Sequence, residues 1–150
     1  AHGAQWAKTV NNLANSYSVL AERVFDTAPA EKAIALYRQS LAVEERPAQE
    51  RATTYSNLGI SLHTLAMRRN DSALYSEAEA AFAEALRLRD KEKDKAGWAL
   101  DLLNAANLDI GLADRNGEKE RYTKAEKLIT EALAVLDPQA DKLRWAQGKN

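Results

Sequence analysis

The chain repeats itself at a fixed interval, and that interval restricts the folds open to it. WAKTVNNLA from Trp6 recurs as RATTYSNLG from Arg51 and as WALDLLNAA from Trp98, and WAQ at Trp145 begins it a fourth time. Successive starts are 45, 47 and 47 residues apart, and an alanine follows each of the first three by 27 residues, at Ala33, Ala78 and Ala125. A period of this length marks a supersecondary unit that cannot bury its apolar face alone and stacks on its neighbours. The repeats are placed at about 5–49, 50–96 and 97–143, with a partial fourth over 144–150, as one array.

Alanine and leucine fill the long segments, while the whole chain has 6 glycines and 3 prolines, so each unit reads as a helix, a polar loop and a second helix. In the first repeat, helix A is expected from Gln5 to Arg23 and helix B from Pro29 to Arg46. Pro29 suits a first helical turn, and Pro47 discourages Arg46 from staying helical. Asn70, Asp71 and Ser72 offer acceptors for a helix start, Asn116-Gly117 marks a break, and Asp137-Pro138 pairs a cap with a first-turn proline.

Within the repeats a signature takes shape. The second reads Tyr55-x-x-Leu58-Gly59-x-x-Leu62 and then Ala78-x-x-x-Phe82. The first has Val10, Leu13, Ala14 and Tyr17 with Ala33 and Tyr37. The third has Leu102, Ala105, Ala106 and Asp109 with Ala125 and Ile129. This pattern resembles the tetratricopeptide repeat, W-x2-L-G-x2-Y…A-x3-F, with a period about a third longer than the usual 34. The Trp-Ala starts and the NNLA and SNLG strings are most similar to the longer repeats of kinesin light chains and of bacterial W-A-x4-N-L-G proteins. The resemblance implies an all-α, right-handed superhelical solenoid of helix-turn-helix units. In it, Ala14, Gly59 and Ala106 let helix B approach, facing Ala33, Ala78 and Ala125.

Composition narrows the function. Hydrophobic residues at 45% and charged residues at 29% suit a folded chain. A formal charge of −1 leaves no basic footprint for nucleic acid. No apolar run approaches the roughly 20 residues that span a bilayer. Cysteine is absent, which excludes disulfides and thiol nucleophiles and leaves the compartment undecided, with the cytoplasm favoured. No nucleotide-binding, zinc-protease or serine-hydrolase pattern occurs. Asp114 to Glu118 lacks the spacing of a calcium loop. No cofactor or metal is expected, and an enzyme is the weakest reading.

Function should then lie on the open side of the A helices. At 100° per residue, Val10, Leu13, Ala14 and Tyr17 share one face with Trp6, which predicts the core. The other side carries Lys8, Asn12, Asn15 and Val19, then Thr53, Asn57, Ile60 and Thr64, then Leu100, Asn104, Asn107 and Gly111. One column there is invariant: Asn12, Asn57 and Asn104. It lies roughly 150° from the core face, and asparagine is a poor mid-helix residue. In superhelical relatives of the resembled family, such an asparagine ladder holds extended peptides by their backbone. The resemblance thus implies a peptide-binding groove at Asn12, Asn57 and Asn104, flanked by Lys8, Asn15, Thr53, Ile60, His63 and Asn107. The alternative role for these amides is bridging between adjacent A helices.

Other columns have structural readings. Asp109 stands where core is expected and needs a partner, a hydroxyl or cation such as Tyr122. Arg23, Arg68 and Arg115 complement the carboxyl ends of their helices. Trp6, Trp98 and Trp145 are expected to anchor packing, His63 to sit solvated at the groove's edge, and Arg87–Lys95 to form a solvated helix end and loop. The expected partner is a protein or peptide segment. A regulatory arm of a larger signalling protein and self-association through uncapped ends are the alternatives. The opening AHG reads as a cloning scar, and the incomplete fourth unit suggests a chain cut from a longer array.

Overall fold

The computed structural model describes residues 2–137 and 139; the fourth repeat start at Trp145 and Pro138 lie outside them. Six helices account for nearly all of this length: α1 (His2–Arg23), α2 (Ala28–Leu41), α3 (Ala48–Arg69), α4 (Ser72–Leu88), α5 (Lys95–Asn116) and α6 (Lys119–Leu136). There is no strand among the described residues. The chain divides between Arg89 and Asp90 into two compact units, the first holding α1–α4 and the second α5 and α6.

Local chemistry explains most of the boundaries. Pro29 lies in the first turn of α2, where a missing N–H costs nothing. Asp71 caps α4 by accepting from the amides of Ala73 and Leu74, and Asp94 caps α5 through Gly97 at 2.9 Å. Gly117 closes α5 in the left-handed region at φ 71°, as the Asn116-Gly117 break predicts. Asn70 serves differently from expectation. It ends α3 in the same left-handed conformation, φ 56°, and leaves the start of α4 to Asp71.

α1 with α2, α3 with α4 and α5 with α6 each form an antiparallel hairpin. Going up α2, Tyr37 bonds to Asn15 and Ser40 bonds further back, to the Ala7 carbonyl. The second hairpin brings His63 to Tyr75 and Gly59 to Phe82. In the third, Tyr122 bonds Asp114 while Lys124 reaches back to Asp109. Small residues set the closeness of these pairs: Ala14, Ala33, Ala78, Ala106 and Ala125 are all buried. At Gly59 a Cβ would stand 2.6–2.9 Å from three ring carbons of Phe82, so only glycine fits under that ring.

Three expectations need correction. Helix B of the first repeat stops at Leu41, five residues short of Arg46. Leaving the helix lets the Arg46 side chain turn inward, where it is 2% exposed. Trp6 does not anchor the core, being 50% exposed, and Leu13 from the predicted core face is 49% exposed. Both lie on α1, whereas the matching Leu58 on α3 is buried. Arg89, expected in a solvated loop, is buried.

Candidate functional site

Within the first unit α1 and α3 run parallel, side by side, joined by a series of polar contacts at nearly constant register. Thr54 Oγ1 donates to Asn11 Oδ1 at 2.9 Å, Asn57 Nδ2 to Asn15 Oδ1 at 3.1 Å, and the hydroxyls of Ser18 and Ser61 share a bond at 3.1 Å. Arg46 adds α2 to the set, donating to Ser40 Oγ at 2.6 Å and to Thr54 Oγ1 at 3.2 Å. Ser40 Oγ in turn donates to the Ala7 carbonyl at 2.8 Å. A buried guanidinium is tolerated only with such partners, and Glu50, 3.7 Å from its Nε, supplies a countercharge.

Arg68 ends α3 but caps α1. It donates to the carbonyls of Ala21 and, at 3.1 Å, Asp26. Ala21 is among the last four residues of α1, whose carbonyls lack a helical partner. The expected role of this arginine, satisfying a helix end, is therefore exercised on the preceding hairpin.

Beside the α1–α3 seam is a depression of about 220 Å³, lined by Asn15, Ser18, Val19, Glu22, Tyr37, Asn57 and Ile60. Its floor is ordered by Tyr37. That side chain is 1% exposed, and burial pushes its hydroxyl pKa up to about 12, so it stays protonated and donates to Asn15 Oδ1 at 2.7 Å. With Asn57 Nδ2 as a second donor, both lone pairs of Asn15 Oδ1 are used. The orientation of both amides follows: Asn15 Nδ2 remains as a donor and Asn57 Oδ1 as an acceptor, neither with a partner among the described residues. Glu22 gives the rim an exposed carboxylate.

The structure thus brings together Asn15, Asn57 and Ile60 of the predicted site residues. Asn12 lies one turn before Asn15 on α1 and is exposed, and Lys8, a further turn back, is exposed too. Thr53 is exposed one turn before Asn57, its hydroxyl donating to the Gln49 carbonyl at 3.2 Å. His63 is not solvated. It is half-buried against Tyr75 with ring centroids 5.8 Å apart, its Nε2 without a partner among the described residues, and burial lowers its pKa below the usual 6.5. Asn104 and Asn107 belong to α5 in the second unit, the first half-buried and the second exposed. Tyr37, Ser18 and Glu22 were missed by sequence reasoning. The pairing of Ser18 with Ser61, polar at matching depth on parallel helices, is the signal that marks this seam.

In the second unit Asp109 is 1% exposed and meets two cations of α6, Arg121 at 2.7 Å and Lys124 at 3.1 Å. Cations rather than a hydroxyl therefore satisfy it, and Tyr122 bonds Asp114 instead. Trp98 is half-buried, with the Lys91 ammonium 5.7 Å from its ring centroid. Among the described residues no helix is long and apolar enough to cross a membrane, and no three acidic or histidine side chains gather as metal ligands do. No family model, curated protein or solved structure matches the chain.

Proposed function

We propose that the protein is a binding scaffold, a tetratricopeptide-like array whose A-helix face takes an extended peptide segment of a partner protein. The reading rests chiefly on the amide pair Asn15–Asn57. Its fixed orientation leaves one donor and one acceptor beside an open depression. That is the complement of a peptide unit, which offers one carbonyl and one N–H whatever its side chain. Asn57 serves both roles weighed for its column: it bridges α1 to α3 with its nitrogen and keeps its oxygen for a partner. Asn12 extends the ladder along α1 in this proposal, with Lys8 and Thr53 selecting among sequences. The parallel, hydrogen-bonded α1 and α3 support the solenoid reading, since A helices lie parallel in such stacks.

A library of short unstructured peptides screened against the immobilised protein tests the proposal. Asn57→Ala and Asn15→Ala should each weaken retained peptides by about 10-fold, the loss of one or two backbone hydrogen bonds. The control Gln39→Ala, at an exposed position on α2, should change nothing. Peptides that bind both asparagine variants as tightly as the parent protein would overturn the assignment.

A further inference from the structure

Glu22 stands at the rim of the α1–α3 depression without a counterion. It lies in the last turn of α1, which ends at Arg23, and there the helix's own dipole disfavours an anion. It makes no hydrogen bond or ion pair among the described residues. The cations around it are engaged elsewhere or set apart. On α3, Arg68 donates to the Ala21 and Asp26 carbonyls, and Arg69 to Glu31 and Thr27. On α2, the Lys32 ammonium is 5.0 Å from the centroid of the Tyr17 ring, and Arg38 pairs with Glu77. On α1 itself, Arg23 is turned about 100° around the helix from Glu22, and Lys8 lies about 21 Å back along it.

The rest of the depression suits a side chain that would pair with this carboxylate. No lysine, arginine or histidine is among the residues that line it. Val19, 49% exposed, and the half-buried Ile60 give it an apolar wall. The hydroxyls of Tyr37 and Ser18 are engaged by Asn15 and Ser61. Asn57 Oδ1 and the Glu22 carboxylate remain as acceptors, against one free donor in Asn15 Nδ2. An apolar wall that leads to an anion matches a methylene stem with a charged donor at its tip. Asn15 and Glu22 are seven residues apart, about 10.5 Å along the helix. An extended segment advances about 3.3 Å per residue. A basic residue one or two positions from a peptide unit held at Asn15 and Asn57 therefore reaches Glu22 with its stem across Val19.

We infer that Glu22 selects the partner: the segment bound at Asn15 and Asn57 carries a lysine or arginine one or two residues from the captured peptide unit, with its charge on Glu22. The inference rests on the backbone-capture reading given above. It adds a sign to that site, because an amide pair reads only the peptide backbone, whereas Glu22 attracts basic segments and repels acidic ones. The carboxylate is exposed, so the preference is modest, about 3- to 5-fold in Kd.

A randomised library of heptapeptides, acetylated and amidated so that no terminal charge stands in for a side chain, is panned on the immobilised full chain. Lysine and arginine should be enriched over glutamine about 3- to 5-fold among retained peptides, and glutamate depleted. For one retained peptide, Glu22→Gln and replacement of its basic residue by glutamine should each weaken binding by that factor, and both together no further. Glu45→Gln makes the same charge change in the α2–α3 loop, at the other end of the hairpin, and should leave the preference intact. Circular dichroism should show both variants as helical as the parent. Retention indifferent to peptide charge, or a basic preference that survives Glu22→Gln, overturns the inference and leaves backbone capture standing on the asparagine variants. Peptides weakened by Glu22→Gln but not by Asn15→Ala or Asn57→Ala overturn backbone capture and leave the cation site. A library from which nothing is retained overturns both.

Discussion

Gly59 and His63 lie four residues apart on α3 and face α4 in opposite physical circumstances. Beneath Phe82 there is no room for a methyl group: the nearest ring carbon would be 2.6 Å from it. Gly59→Ala gains about 1 kcal/mol of helix propensity and loses more in displaced packing, about 1–3 kcal/mol. The expected result is a net loss in urea unfolding that Phe82→Leu partly restores. His63 is half-buried, and its Nε2 has no partner for a second proton among the described residues. Burial lowers its pKa, so between about pH 6.5 and the lowered value the unfolded chain takes up a proton that the folded chain refuses. Stability is therefore complete above pH 6.5 and falls as the pH drops through the folded-state pKa. His63→Phe, which keeps an aromatic ring against Tyr75, should remove this part of the acid dependence in melts recorded from pH 8 to about pH 5. Residue by residue, the sequence disclosed most where the chemistry is local. Pro29, Asp71 and Gly117 punctuate helices through bonds to near neighbours, and Asp109 announced its need for a partner by breaking an apolar column. Its partners, Arg121 and Lys124, come from another helix, and nothing in the local pattern distinguished them from Tyr122.

At the scale of helices, Arg46 is the side chain that ties α2 to α3 and, through Ser40 and Thr54, to α1. Beside Pro47 it reads in sequence as an ordinary surface arginine at a helix end, and the helix itself was expected to reach it. The clue was elsewhere, in Ser40 and Thr54, polar residues at registers where packing would favour apolar ones. Arg46→Met keeps the length and apolar stem while removing the donors. It should lower stability by about 2 kcal/mol, since hydrogen bonds from a charged donor each contribute roughly 1.5–3 kcal/mol and both acceptors retain other partners. Chemical denaturation measures the loss, and hydrogen exchange should show it in α1, α2 and α3 together. Trp6 and Leu13 illustrate a different limit. Register assigns a residue its place in a repeat, and burial depends further on whether a neighbouring repeat stands there.

For the whole molecule, the identity of the stripes on α1 and α3 has a consequence for how such a chain can change in length. Thr9 and Thr54, Leu13 and Leu58, Ser16 and Ser61, Leu20 and Leu65, Arg23 and Arg68 are matched pairs 45 residues apart. A block of 45 residues that includes α1 and α2, copied in tandem, would arrive with its junctions already fitted. Its new second α1 would present to the first α2 the surface that α3 now presents, down to the arginine that caps the helix ahead. Growth by duplication then requires no compensating substitution at the join, and loss of the block exposes no surface of a new kind. Length becomes a property that can be altered in whole steps, each one neutral to the packing of the rest.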